Sequence, residues 1–259
     1  MFRNRRTYLA LLIAPVIALG IALGGCEQNA VTGRNQLILI PEDQASEMGA
    51  QAYRQILSKA QPGTAAQQQR VERIGRRIVQ AAGQPAAGEN WTFNVIRDDT
   101  ANAFALPGGK VGIHTGMLDA VENDAQLAAV IGHEIAHVTA RHSAERMSRQ
   151  ALTQAGVGLA GAAVDSATGA QLMAQAAQLG LILPFSRNQE SEADKVGMRY
   201  MAIAGYDPRA AVQVWQKFAA KGGARQPEFL STHPLPSSRV KELQAYLDEV
   251  MPIYLRNAR

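Results

Sequence analysis

The residues His133-Glu134-Ile135-Ala136-His137 have the types and the spacing of a catalytic metal site. On an α-helix, side chains four positions apart lie on one face, so both imidazoles can bind a single metal ion. Glu134 projects to one side of such an ion, where it can act as the general base for a water molecule. The motif therefore predicts a metal-dependent hydrolase with His133 and His137 as ligands.

A third protein ligand is expected, because a catalytic zinc ion commonly has three and leaves one position open for water. Glu190 and Asp194 are four residues apart and share one face of a second predicted helix, whereas Glu192 faces elsewhere. That spacing allows Glu190 to bind the metal while Asp194 hydrogen-bonds the outer nitrogen of a ligand histidine. His142 follows His137 by five residues, about 140° around a continuous helix, and is predicted to point away from the site.

Three motifs, in this order, resemble the gluzincin metallopeptidases related to HtpX, LoiP and BepA, which include the CAAX prenyl endoproteases. They are HEIAH at 133–137, ESEAD at 190–194 and HPLPSSR at 233–239. The likeness extends from about Asn29 to about Tyr254 and implies a lipoprotein form without tetratricopeptide repeats. It also implies a set of site residues: His133, His137 and Glu190 as zinc ligands, Glu134 as general base, Asp194 as partner of a ligand, and His233 and Arg239 facing the reaction centre.

The roles of His233 and Arg239 remain open at the level of the sequence. A developing oxyanion needs a hydrogen-bond donor besides the metal ion, and either side chain is a candidate. Alternatively, His233 is a reversible fourth ligand that fills the open position and keeps the enzyme latent, which is the role we favour from the resemblance. Pro234 and Pro236 restrict the backbone next to it, so we expect this loop to move as a unit.

The first 26 residues resemble the signal of a bacterial lipoprotein. A start with three arginines precedes an apolar stretch from Tyr8 to Leu23, which is shorter than a typical membrane span. Two glycines then precede Cys26. We expect cleavage before Cys26 and a lipid on its sulfur. Glu27 in place of aspartate favours the outer membrane of a Gram-negative bacterium, facing the periplasm. An ordinary secretory signal or an uncleaved anchor is the alternative.

Charge and cysteine content exclude two further possibilities. The formal net charge is +4, but three of the positive charges lie in the expected signal. The remaining basic residues are scattered along the chain and nearly balanced by acidic ones, which argues against binding to nucleic acid. A single cysteine cannot form an intrachain disulfide, so packing and zinc must hold the fold together.

Hydrophobic periodicity predicts an α+β domain that is mostly helical, with a small sheet beside the HExxH helix. The resemblance implies that this is a zincin-like metalloprotease domain. The expected organisation is a signal at 1–25, a lipid-anchored linker at 26–41 and a metallopeptidase domain at 42–259. We expect strands at Trp91–Arg97, Asn102–Leu106 and Lys110–His114. Helices are expected at Glu42–Ala60, Thr64–Ala82, Glu122–Arg149, Asn188–Ala204, Pro208–Ala220 and Ser237–Leu255.

Residues 150–183 are rich in alanine, glycine and glutamine and contain one charged residue, Asp165. Such a stretch favours two closely packed helices. A mobile lid over the cleft is the alternative, because the stretch lies between the two halves of the metal site in sequence.

The residues and the resemblance together predict a zinc endopeptidase in protein quality control at the periplasmic face of the outer membrane. Its expected substrates are unfolded or misassembled polypeptides, above all outer-membrane proteins, held by strand addition at Asn102–Leu106. The main alternative is a periplasmic chaperone or assembly factor of outer-membrane proteins, with largely latent protease activity and partners in the assembly machinery. A metal-dependent amidase would share HEIAH but not the two later motifs.

Overall fold

The computed structural model describes residues 26–159, 183–221, 227–234 and 237–258. The signal expected at 1–25 and most of the helical pair or lid expected at 150–183 lie outside the described residues. The strands are β1 (Cys26–Gln28), β2 (Asn35–Leu37), β3 (Thr92–Ile96), β4 (Ala103–Leu106) and β5 (Lys110–His114). The helices are α1 (Glu42–Leu57), α2 (Ala65–Ala82), α3 (Thr115–Ala120), α4 (Asp124–Thr139), α5 (His142–Leu159), α6 (Arg187–Ile203), α7 (Arg209–Ala220), α8 (Phe229–Thr232) and α9 (Ser237–Asn257). This confirms the predicted mostly helical α+β class.

The larger sheet has three strands in the order β3-β5-β4. β3 runs parallel to β5, whereas β4 pairs antiparallel with β5 through the predicted hairpin around Pro107. Gly108 and Gly109 have φ angles of 80° and 71°, which residues with a Cβ atom rarely adopt, so this turn depends on glycine. Helix α2 packs against β3, and α4 packs against β4. The sheet therefore lies beside the HExxH helix, as predicted.

Helix α4 is enclosed by the rest of the domain. All of its residues from Gln126 to Thr139 are buried, because α2, α6 and α7 pack around it together with the sheet. Its mainly apolar side chains suit that environment. His133, Glu134 and His137 are the exceptions, and each needs a partner because an unpaired buried polar group costs about 2 to 7 kcal/mol.

The prediction of one continuous helix from Glu122 to Arg149 is wrong. Helix α4 ends at Thr139, Arg141 adopts a left-handed conformation with a φ of 55°, and α5 starts in a new direction at His142. A left-handed residue just after a helix is a common way to end it, usually with glycine. Here the residue is an arginine, so the sequence gave no indication that the helix ends at this point.

Residues 26–37, which contain β1, β2 and the turn between them, form the N-terminal hairpin. Its buried side chains Asn29 and Gln36 donate hydrogen bonds of 3.0 and 2.8 Å to the carbonyl oxygen of Ala140. They satisfy a carbonyl that a continued helix would have paired, which explains why α4 stops there. The segment expected to be a linker is thus packed onto the domain in its first part.

Within the described ranges, no helix is both long enough and apolar enough to span a membrane.

Candidate active site

Four buried side chains converge on one point between α4, α6 and the loop after α8. His133, His137, Glu190 and His233 each offer one nitrogen or oxygen atom, and these atoms lie within 4.8 Å of one another. The Nε2 atoms of His133 and His137 are 3.0 Å apart, and the Glu190 carboxylate lies 3.5 and 3.4 Å from them. The structure therefore brings together the three residues predicted as ligands and adds His233 to the group.

Local sequence explains how α4 and α6 place these ligands. The side chain of Ser186 accepts a hydrogen bond from the backbone of Gln189 and starts α6, which puts Glu190 in the first turn, where the helix dipole favours a carboxylate. The two helices then cross at Gly132 and Gly197. A Cβ atom on Gly197 would lie 2.9 Å from the carbonyl carbon of Gly132. Only glycine permits this close approach, and the approach lets both helices face one centre.

His133 is supported on its outer side by a carboxylate and a guanidinium group. Its Nδ1 lies 3.0 Å from Oδ1 of Asp194, where the sequence predicted a hydrogen-bond partner of a ligand. Arg239 donates from Nε and Nη2 to Asp194, at 2.7 and 2.8 Å, and from Nη1 to Glu190, at 2.6 Å. Arg239 thus lies behind the ligands and bridges two carboxylates. This arrangement suits a positioning role better than the oxyanion contact that the sequence also allowed.

The pKa shifts of the ligands show which charges the group favours. Burial raises the pKa of Glu190, but the three surrounding histidines outweigh it and hold that pKa well below its usual value. Burial lowers the pKa of His133, yet its hydrogen bonds to Asp194 and Glu190 prevail and raise it to about 9. The pKa of His137 stays well below its usual value because burial dominates. The centre is therefore built around negative charge that a cation would neutralise.

The arrangement fits a zinc ion. Around tetrahedral zinc, ligand atoms about 2.0 to 2.2 Å from the metal are about 3.3 Å from one another. Five contacts between the nitrogen and oxygen atoms of this group measure 3.0 to 3.5 Å. Imidazole and carboxylate are ligands that zinc prefers.

Glu134 lies beside the ligand group and does not belong to it. It is 1% exposed, and its Oε1 has no hydrogen-bond partner among the described residues. Nε2 of His233 lies 3.4 Å from this oxygen. Burial raises the pKa of Glu134, although His233 and His133 partly offset this effect, as does the backbone of Ala105 in β4. A buried carboxyl group that has a raised pKa, and one oxygen without a hydrogen-bond partner among the described residues, is suited to accept and release a proton.

His142 contacts the metal centre, so the prediction that it points away is wrong. Its Nδ1 lies 2.9 Å from Nδ1 of His137, and its Nε2 lies 3.1 Å from Oε2 of Glu192. The prediction failed because α4 ends before His142 and the chain turns at Arg141. Glu192 is outside the ligand group, as predicted, but partners this histidine. Partial burial raises the pKa of Glu192, but hydrogen bonds from His142, Thr32 and Arg34 outweigh this effect and lower that pKa to about 2.

Aromatic rings pack against the histidines of the centre. Phe185 stacks on His137 with ring centroids 3.8 Å apart, and Phe229 stacks on His233 at 4.2 Å. Trp215 meets the ring of His133 edge-on. Sequence reasoning did not single out these three residues, since an isolated aromatic residue in an apolar stretch carries no signal of a metal site. Their apolar surfaces strengthen the electrostatic interactions inside the centre by lowering the local dielectric constant.

Comparison with known proteins gives a family and several relatives. The family model described as Peptidase family M48 matches residues 65–247. The mitochondrial metalloendopeptidase OMA1 of Schizosaccharomyces pombe is 35% identical over 85% of this chain and 66% of its own length. Its namesake in Saccharomyces cerevisiae is 31% identical over 97% of this chain and 77% of its own. The beta-barrel assembly-enhancing protease of Escherichia coli is 32% identical over 73% of this chain, which spans 41% of that relative.

Proposed function

The chain belongs to peptidase family M48 and is a metalloendopeptidase. We propose that it uses zinc to degrade unfolded or misassembled polypeptides, and that it does so at the periplasmic face of the outer membrane. The observation that carries the catalytic part is the convergence of His133, His137 and Glu190 on one point. The carboxylate of Glu134 lies at the edge of that group, where a general base is needed.

The chemistry follows from the two kinds of glutamate in the centre. When bound by His133, His137 and Glu190, zinc supplies Lewis acidity, which lowers the pKa of water to about 7 and polarises a peptide carbonyl group. Glu134 accepts the proton of the attacking water on its free Oε1. The same carboxyl group then delivers that proton to the nitrogen of the leaving amine as the peptide bond breaks, so Glu134 returns to its starting state.

Strand β4 supports an unfolded polypeptide as the substrate. Among the described strands its one neighbour in the sheet is β5, and the backbone of Ala105 in β4 is close enough to influence the Glu134 carboxylate. An extended peptide that adds to this edge by main-chain hydrogen bonds would pass beside the general base. Folded proteins rarely offer such a free extended segment, so the edge selects for unfolded chains.

The position of His233 favours a second function, an assembly factor for outer-membrane proteins whose protease activity is largely latent. Nδ1 of His233 is 3.3 Å from Nε2 of His133 and 3.1 Å from Oε1 of Glu190. If the other three residues bound a metal ion, His233 would be close enough to compete with water for the remaining position. The relatives named beta-barrel assembly-enhancing protease support outer-membrane proteins as substrates and the assembly machinery as a partner.

The proposed location rests on the lipoprotein-like sequence before and at Cys26. In the structure Cys26 is the first residue of β1, so a lipid on it would attach the N-terminal hairpin directly to the membrane. We expect a Cys26→Ser variant to lose its acyl group and to leave the outer-membrane fraction, as measured by mass spectrometry and membrane fractionation. Unchanged partitioning, together with no acyl group on the wild type, would contradict a lipid anchor.

The enzymatic proposal is tested with the purified chain that starts at Cys26. We expect it to cleave casein, to stop when a chelator removes the metal, and to recover when zinc is added back. Native, compact lysozyme serves as the matched folded substrate and should stay intact. Cleavage of casein that survives complete removal of the metal, verified by elemental analysis, would rule out the mechanism.

A further inference from the structure

We propose that His142 is a positioning residue of the metal centre, which accepts a hydrogen bond from His137 and so determines which nitrogen of His137 is free to bind the metal. The inference rests on the proposed metal site. It concerns a contact that lies outside the ligand group, between Nδ1 of His142 and Nδ1 of His137 at 2.9 Å.

The direction of each hydrogen bond can be worked out from the outer end of the chain inward. Nε of Arg34, in the N-terminal hairpin, donates to the Glu192 carboxylate at 2.8 Å, and the Thr32 hydroxyl donates to it as well. A carboxylate held by a guanidinium group is ionised and can only accept hydrogen bonds. Nε2 of His142, 3.1 Å from Oε2 of Glu192, must therefore carry a hydrogen atom and donate it.

The same reasoning assigns the inner bond. Two ring nitrogens 2.9 Å apart cannot both carry hydrogen, so one of the two Nδ1 atoms donates and the other accepts. Because His137 faces Glu190 and His133 through Nε2, metal binding by that atom requires the hydrogen of the neutral ring on Nδ1. His142 is then the acceptor, neutral, with its own hydrogen on Nε2. The donor and acceptor assigned to each hydrogen bond in this series, from Arg34 to His137, are therefore consistent with those of the next.

The two ligand histidines are therefore oriented by different means. His133 has a carboxylate directly on its outer nitrogen, since Asp194 is 3.0 Å away. His137 has a neutral imidazole between it and the carboxylate of Glu192. A neutral acceptor fixes the ring without adding a second negative charge next to the centre, where Glu190 already supplies one. Outer partners of this kind commonly affect metal affinity by about 10- to 100-fold.

The chain of bonds also ties the N-terminal hairpin to the metal centre. Arg34 forms a paired contact with Glu145 in α5, with distances of 2.9 and 2.7 Å, in addition to its bond to Glu192 in α6. His142 itself is fully buried where α5 begins. Correct docking of the hairpin is thus a condition for the orientation of His137, although the hairpin contributes no ligand.

Nitrogen-15 NMR of histidine-labelled, zinc-loaded protein tests the assignment directly. We expect His142 to be neutral with hydrogen on Nε2, and His137 to carry hydrogen on Nδ1. Hydrogen on Nδ1 of His142, or on both of its nitrogens, would overturn the proposal. The resonances are assigned by comparison with His142→Leu, which removes one ring. A general structural role would not fix this tautomer.

Metal affinity provides the second measurement. We expect His142→Leu to bind zinc about 10- to 100-fold more weakly in competition with a chromophoric chelator. His142→Asn should recover most of that loss, because its Oδ1 can accept the bond from His137. The control His114→Leu replaces a histidine that contacts Thr100 and Phe104 and should leave affinity unchanged.

Equal affinity of His142→Leu and the wild type would overturn the inference, as would an equal loss in the asparagine and leucine variants when circular dichroism shows both to be folded. The outcome is separate from that of the proposed function. Failure of the wild type to cleave casein would count against the peptidase proposal, whereas the tautomer and the zinc affinity decide the role of His142.

Discussion

Glu134 and Glu190 are both fully enclosed, but their surroundings drive their carboxyl groups in opposite directions. Burial raises the pKa of each. Around Glu190 three histidines reverse the effect and keep its pKa well below the usual value, whereas the pKa of Glu134 remains raised. Neighbouring groups whose pKa values are pushed apart commonly divide the roles of a site. Here Glu190 is suited to hold a cation and Glu134 to exchange a proton.

Replacing Glu134 by glutamine should separate metal binding from catalysis. We expect Glu134→Gln to keep its zinc, because all the proposed ligands remain. Its rate of casein cleavage should fall by a factor of about 10² to 10⁴, because the general base is missing. Zinc is measured by elemental analysis and cleavage by release of labelled peptides. Glu72→Gln, at a partly exposed position on α2 away from the metal centre, is the control. Cleavage by a zinc-loaded Glu134→Gln protein at the wild-type rate would remove Glu134 from the mechanism.

Replacing Glu190 should instead act on the metal itself. We expect Glu190→Gln to purify with little zinc, since it loses the carboxylate that faces both ligand histidines, at 3.5 and 3.4 Å. Asp194→Asn should bind zinc about 10- to 100-fold more weakly, because it weakens the support of His133. Full zinc occupancy in Glu190→Gln would show that another residue supplies the third ligand.

The role of His233 is decided by the direction in which its loss changes activity. We expect His233→Ala to cleave casein faster than the wild type, because removal of Nδ1 from the ligand group opens a position for water. Zinc content is determined in the same samples, and His114→Ala is the matched control. A fall in cleavage with zinc retained would refute latency and identify His233 as a contact needed for turnover.

At the scale of elements, the crossing of α4 and α6 is what joins two motifs that are far apart in sequence. Gly132 and Gly197 let the two helix backbones touch. Residues that precede and follow this contact then face one another, so the histidines of α4 meet the glutamate of α6. Strand β4 lies against the same helix. The ligands on α4 and α6 thus rest on helices and a sheet, whereas His233 lies just after the short helix α8.

A methyl group at this crossing should disturb both stability and the site. We expect Gly197→Ala to lower the free energy of unfolding by about 1 to 3 kcal/mol, because its Cβ would lie 2.9 Å from backbone atoms of Gly132 and His133. Zinc affinity should fall with it. Thermal unfolding and chelator competition are the measurements, with exposed Lys195→Ala on the same helix as control. A variant as stable as the wild type would mean that the helices can separate freely.

At the scale of the whole molecule, Glu145 in α5 connects the N-terminal hairpin to α6, the helix that carries Glu190. It accepts hydrogen bonds from Arg34, from Arg149 in its own helix and from Gln189 in α6. Burial raises its pKa, but the bond to Arg34 and its other partners outweigh this effect and lower the pKa below 4.5. The hairpin is therefore held to the domain by a charge that acid removes.

Stability should fall in acid partly through Glu145. A carboxyl group whose pKa is lowered by folding stabilises the fold fully above its unfolded value of about 4.5, and this contribution is lost as the pH falls below it. We expect Glu145→Gln to be less stable than the wild type at pH 7 and the gap between them to narrow at pH 4. Urea unfolding of metal-free protein measures both. A gap that is the same at both pH values would contradict the ionic role.

Local sequence determined most of the elements and singled out residues that the structure brings together in the proposed metal site. Helical periodicity predicted α2, α6 and α7 to within a residue or two, and a Pro-Gly-Gly turn predicted the β4-β5 hairpin. The His133 and His137 pair follows from their spacing on one helix, which is a property of five consecutive residues. The prediction of Glu190 depended on the HEIAH motif earlier in the chain. Within ESEAD, the four-residue spacing from Asp194 was sufficient to choose Glu190 over Glu192.

Tertiary structure alone decided the support of His137. The end of α4 depends on two amides that reach Ala140 from residues more than 100 positions away, and no local pattern encodes that contact. Once the chain turns at Arg141, His142 meets His137 and Glu192. The same holds for Arg239, which the motif placed near the site but whose two carboxylate partners lie on another helix. Spacing within an element can be read from the sequence, whereas contacts between elements depend on how the chain packs.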